Sequence, residues 1–132
     1  AVMKKNGILN SDISRVLSYM GHTDRICIAD CGLPIPEDVE RIDLALKMGV
    51  PSFMDVLTEA ASDMKIQKII LADEIKAQNA AQLEAIEAFF KKSGADIQIE
   101  FVPHSEFKEM TRDCKAVITA YSNIILEAGC IF

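Results

Sequence analysis

Two short runs, Arg25-Ile26-Cys27-Ile28-Ala29-Asp30 and Lys68-Ile69-Ile70-Leu71-Ala72, are apolar at nearly every position and rich in β-branched residues. A strand with one wet face alternates polar and apolar side chains, so strands without that alternation have to be buried on both faces. Helical periodicity lies around them. Ile13, Val16, Leu17 and Met20 fall at i, i+3, i+4 and i+7 over residues 10–20, with Asn10 or Ser11 as N-cap. Phe53, Val56, Leu57, Ala60 and Met64 form a second stripe over 53–64, and Leu83, Ile86 and Phe90 a third over 77–92, stopped by Ser93-Gly94. Helices alternating with doubly buried strands predict an α/β domain: a mostly parallel, mixed sheet flanked by helices on both faces.

The remaining segments read more weakly. Short strands are expected around 41–44, 97–102 and 116–119, and a short helix over 103–112. Ile124-Ile125-Leu126 and Cys130-Ile131-Phe132 suggest a terminal hairpin, and Gly21 a left-handed helix C-cap. Cys31-Gly32-Leu33-Pro34-Ile35-Pro36 is a shaped loop, because two prolines and a glycine cannot extend a strand. With no repeat or linker, residues 1–132 read as one domain, and Ala1-Val2 ahead of Met3 as an appended remnant.

Fourteen Lys and Arg against twenty Asp and Glu give a net charge of -6, which disfavours nucleic acid or an anionic membrane as partner. The longest apolar stretches fall far short of the ~18–20 residues of a membrane span, and no secretory signal is apparent. Cys27, Cys31, Cys114 and Cys130 are therefore expected to be reduced thiols in the cytoplasm. A mean hydropathy of +0.18 is high for a small domain and points to apolar surface buried between subunits.

Chemistry can reside in few places. The chain has two histidines, His22 and His104. His22 lies just past a helix end, where the dipole favours a cation; it serves either as a proton exchanger or as a polar helix stop. Asp30 closes an apolar strand at the edge where open α/β sheets bind ligands, and equally suits a turn residue. Tyr121-Ser122-Asn123 offers an aromatic plane beside an amide, which fits a small polyhydroxylated ligand as well as a simple turn. About four residue steps, or about 13 Å, separate Ile26 from Asp30, so His22 and Asp30 are expected near opposite ends of the sheet. A site using both then has to be shared between subunits, or the loop before Ile26 has to fold back. Cys27 and Cys31 fit no standard zinc spacing, and Asp73-Glu74 reads as solvated surface. No phosphate loop, GxSxG or HExxH is present, which removes support for phosphoryl transfer, dinucleotide binding and zinc proteolysis.

Met-Lys-Lys-Asn-Gly-Ile-Leu-Asn-Ser from Met3, Gly21-His22-Thr23-Asp24, Ala29-Asp30-Cys31-Gly32-Leu33-Pro34-Ile35-Pro36, Arg41-Ile42-Asp43-Leu44, Gly49-Val50-Pro51-Ser52-Phe53, Glu74-Ile75-Lys76 and Tyr121-Ser122-Asn123 occur in this order. Together they resemble the D-ribose pyranase family, the RbsD/FucU sugar mutarotases, and the Gly-Leu-Pro-Ile-Pro and Arg-Ile-Asp elements resemble its ribose branch. The resemblance runs from Met3 to Phe132. It implies an isomerase that interconverts the pyranose and furanose forms of D-ribose without cofactor or metal. It assigns His22 as the acid/base and Asp30, His104, Tyr121, Ser122 and Asn123 to the sugar. It further implies a cytoplasmic, ring-shaped homo-oligomer, commonly a decamer, with the sugar between adjacent subunits. The alternatives are a mutarotase for another aldose such as fucose, or a non-catalytic sugar-binding or transport-associated module.

One departure stands out. The family usually has an Arg-Thr/Ser-Gly-Glu stretch before the Tyr-x-Asn triplet, whereas here Val117-Ile118-Thr119-Ala120-Tyr121 runs straight through. A segment missing from the sequence as given is the favoured reading, since true deletion would remove a wall beside the triplet and weaken substrate affinity.

Overall fold

In the computed structural model, six strands join in the order β2-β5-β1-β6-β3-β4. The structure describes residues 10–30, 35–44, 46–47, 52–92, 97–120 and 124–128. The strands are β1 (Arg25–Asp30), β2 (Glu40–Asp43), β3 (Ile66–Ala72), β4 (Gln98–Val102), β5 (Ala116–Ala120) and β6 (Ile124–Ala128). The helices are α1 (Ser11–Tyr19), α2 (Phe53–Ser62), α3 (Ile75–Gln78), α4 (Ala80–Lys92) and α5 (His104–Met110), the last followed by a 3₁₀ turn, Thr111–Asp113. β1 runs parallel to β5, β5 to β2, and β3 to β4, while β6 is antiparallel to both β1 and β3. The sheet is thus mostly parallel with one reversed strand inside it, as the alternating pattern predicts.

Alternation along β1 shows why the run had to be apolar throughout. Ile26 and Ile28 face one core with Ile13, Val16, Phe53, Leu57, Ile86 and Phe90. Cys27 and Ala29 face a second core with Ile70, Val117, Ile125, Cys114 and Phe107. α1, α2 and α4 cover the first face; among the described residues, α5 and its 3₁₀ turn supply helical cover for the second. Burial pushes both described thiols up, Cys27 well above its ordinary value and Cys114 to about 12, so neither ionises near neutrality.

Local signals set most helix starts. Asn10 Oδ1 accepts the Ile13 N–H at 3.0 Å and Ser52 Oγ the Asp55 N–H at 3.1 Å, each cap contributing about 1 kcal/mol. The helix expected over 77–92 is interrupted at Asn79, whose backbone leaves the helical region and whose Oδ1 accepts the Gln82 N–H at 3.2 Å. Asn79 thereby separates α3 from α4.

Two expectations are corrected. Ile124-Ile125-Leu126 is not the arm of a terminal hairpin; it belongs to β6, a central strand between β1 and β3, and Cys130-Ile131-Phe132 lies outside the described residues. Gly21 is not a left-handed cap either. α1 ends at Met20 in extended conformation, and positive φ (72°) falls on Thr23.

Candidate functional site

The carboxyl ends of the five parallel strands form one edge of the sheet. Asp30 ends β1 there, in register with Ala120 at the end of β5. β6 starts at the same edge on the other side of β1, Ile124 being in register with Ile28. Ala120 and Ile124 thus flank β1, and residues 121–123 join them; Tyr121, Ser122 and Asn123 themselves lie outside the described residues.

His104 reaches this edge from β4 as the first residue of α5. Its N–H donates to Glu74 Oε1 at 3.3 Å, and its Nδ1 stands 3.9 Å from Glu74 Oε2, an oxygen shielded from solvent that has no hydrogen-bond partner among the described residues. Glu74 is therefore more than the solvated surface residue expected: it faces the amino end of α5, where a negative charge is favoured. Asp30 and His104 share an edge, yet β1 and β4 are three strand spacings apart, about 14 Å.

His22 is elsewhere. It lies in the turn between α1 and the start of β1, at the amino end of the parallel strands and so across the sheet from Asp30, as the strand length predicted. The Asp24 N–H donates to Gly21 O at 3.1 Å, and the Gly21 N–H donates to Asp24 Oδ2 at 2.8 Å. These bonds hold Thr23 at positive φ, a conformation that costs a β-branched residue of order 1–3 kcal/mol. The turn leaves the His22 side chain exposed, with Nε2 3.0 Å from Gln67 Oε1.

Behind His22 stands a polar group that no motif announced. Gln67 Nε2 donates to Glu127 Oε2 at 2.7 Å, and Arg25 Nε donates to Glu127 Oε1 at 3.0 Å. Glu127 is a buried acid on a central strand. Burial alone would raise its carboxyl, but hydrogen bonds from Gln67 and Arg25, with the charges of Arg25 and Lys68, outweigh that and hold it below its ordinary value. A charged residue closing the apolar run Ile124-Ile125-Leu126 was the one available signal, since such a residue needs a partner. The stabilisation is fully present above about pH 4.5 and is lost as pH falls through the lowered value. Glu127→Gln is therefore expected to flatten the acid limb of thermal melts below about pH 4.5. An unchanged acid limb would remove this carboxylate from the acid response.

An apolar groove of about 330 Å³, lined by Ala61, Met64, Phe89, Phe90 and Ile97 among others, lies between α2 and α4. It contains neither histidine nor Asp30. Cys27 lies in the second core, while His22 is exposed beyond the amino end of β1.

A mixed six-stranded sheet covered by helices on both faces makes the protein an α/β domain. The chain belongs to the RbsD / FucU transport protein family, whose model matches residues 3–131. It is 52% identical to the D-ribose pyranase of Halalkalibacterium halodurans and 51% identical to that of Exiguobacterium sibiricum, each over 98% of this chain and all of the relative. The solved structure of Bacillus subtilis RbsD complexed with D-ribose matches with a TM-score of 0.89 at 47% identity, covering 98% of this chain and 100% of that one. Both pyranase alignments run over 135 positions, more than the 132 residues of this chain, so the relatives have at least three positions that it lacks. No described helix is long and apolar enough to cross a membrane.

Proposed function

We propose that this chain is an isomerase that interconverts the pyranose and furanose forms of D-ribose, acting in the cytoplasm as a ring-type homo-oligomer, a decamer. The observation that supports this most is identity of about half, end to end, with curated D-ribose pyranases. In ring opening, the anomeric hydroxyl gives up its proton as the bond from C1 to the ring oxygen breaks, and the ring oxygen takes a proton up. Rotation and attack by another hydroxyl close the other ring with the reverse transfers. The net reaction needs no oxidant and no group transfer. His22 exchanges the proton; Asp30, His104, Ser122 and Asn123 hold hydroxyls, and Tyr121 packs on the sugar.

His22 precedes β1 and Asp30 ends it, and β1 itself, Arg25 to Asp30, spans five residue steps or about 16 Å. A bound ribose is too small to bridge them, so the amino edge of one subunit faces the carboxyl edge of the next. The exposure of His22 supports this, because a proton exchanger at an open surface needs a second wall to position substrate.

Saturation-transfer NMR with ribose, fucose and galactose, beside a light-scattering mass, tests both parts. Accelerated exchange is expected for ribose foremost, from an assembly of many subunits. Faster exchange of fucose would move the substrate assignment to another aldose, and no acceleration of any sugar would leave a binding module. His22→Ala and Asn123→Ala, each inactive alone, are expected to recover roughly a quarter of the activity in mixed assemblies, the share of sites with both residues intact. A fully active monomer, or mixing without recovery, would rule out the shared site.

A further inference from the structure

The chain of polar contacts behind His22 has a direction. Gln67 lies at an irregularity in β3: Ile66 is in register with Ala128 and Lys68 with Glu127, so β3 spends two steps where β6 spends one. Gln67 is the extra residue of this bulge, a device that turns a side chain out of the ordinary alternation. Its amide lies between Glu127 and His22.

Glu127, with its carboxyl held below the ordinary range, is an acceptor only. Arg25 occupies Oε1, leaving Oε2 for the amide nitrogen of Gln67. Turning the amide over would set its oxygen against the carboxylate. The Gln67 oxygen must therefore face His22, and an oxygen at 3.0 Å from Nε2 demands a proton on that nitrogen. Among the described residues, Nδ1 takes no hydrogen bond.

We propose that Gln67, oriented by Glu127 and Arg25, is a positioning residue that keeps the His22 proton on Nε2 and presents Nδ1 as the bare nitrogen toward the sugar. This rests on the reading of His22 as the acid/base. The order Arg25–Glu127–Gln67–His22 fixes a tautomer in the way a carboxylate or carbonyl behind a catalytic imidazole does, with the amide as relay. Each link is needed. Without Arg25 the carboxylate is unpaired, without Glu127 the amide can face either way, and without Gln67 the ring has no fixed acceptor.

The test uses the intact protein labelled with ¹⁵N-histidine, whose two histidines are told apart by substituting His104. Ring-nitrogen spectra taken where the imidazole is neutral are expected to show His22 as the Nε2–H form alone. Gln67→Met, which keeps the length and removes both donor and acceptor, should give a tautomer mixture. Exchange should fall about tenfold or more, with ribose affinity within about twofold. The double variant Gln67→Glu/Glu127→Gln reverses the carboxylate and the amide while keeping an acceptor on His22 and a carbonyl on Arg25. It should restore the single tautomer and most of the rate, which a merely structural role would not predict. An unaltered ring-nitrogen signature in Gln67→Met overturns the proposal. An altered signature with undiminished exchange overturns instead the acid/base reading of His22, leaving the orienting contact itself intact.

Discussion

Replacing His22 with alanine is expected to slow protein-dependent exchange between the ring forms of ribose by about 10²–10⁴-fold, the usual contribution of a positioned general acid/base. Most of the affinity for ribose should remain, because the hydroxyl-holding residues assigned to the site come from the other edge of the sheet. The fold should be nearly untouched. The side chain is exposed, and its hydrogen bond to Gln67 contributes only about 0.5–1.5 kcal/mol. Loss of rate with retained binding and an almost unchanged melting temperature separates catalysis from structure in one variant. A ribose-binding module would show no kinetic deficit on the same substitution, as it would accelerate nothing to begin with. Aldoses open unaided in water, so the comparison has to be against the buffer rate, and an exchange rate in His22→Ala equal to that of the wild type would end the assignment.

The parts of this molecule that were legible in advance are those where burial on both faces leaves a local mark. β1 and β3 could be read because residues such as Ile26 and Cys27 point into different cores and both have to be apolar. The separation of His22 from Asp30 followed from strand length alone. β6 was misread because its place between β1 and β3 is decided by pairing partners far away in the chain, and an apolar run looks the same at an edge or in the middle. The turn before β1 was misread because Gly21 looks like the residue that should take positive φ, while its two hydrogen bonds with Asp24 move that conformation to Thr23. Gln67 was invisible for a related reason. A bulge has no reliable local signature, and a glutamine beside a lysine in an apolar strand reads as ordinary solvent-facing polarity. Its role emerges only when β6 sets Glu127 opposite Lys68 and beside Arg25.

Phe107→Ala is expected to be the most destabilising of the substitutions considered, at about 3–5 kcal/mol, the range for removing a fully buried aromatic side chain. For a domain of this size that lowers the melting temperature by roughly 10–20 °C. The two faces of the sheet are unequally furnished. The first core draws on α1, α2 and α4, whereas the second opposes small side chains such as Cys27, Ala29 and Ala72 to one large ring, Phe107, from α5. Its loss leaves a void that those short side chains cannot fill by shifting. α5 has seven residues and begins at His104, so its position depends on Phe107 and on the contact of its first amide with Glu74. The same substitution should therefore weaken ribose binding, through displacement of His104, while His22→Ala should not. Thermal melts and ribose titrations of the two variants side by side check this. A Phe107→Ala protein that melts within a few degrees of the wild type would mean that the second face is held by residues other than this ring, and undiminished ribose affinity in a destabilised variant would separate His104 from the sugar.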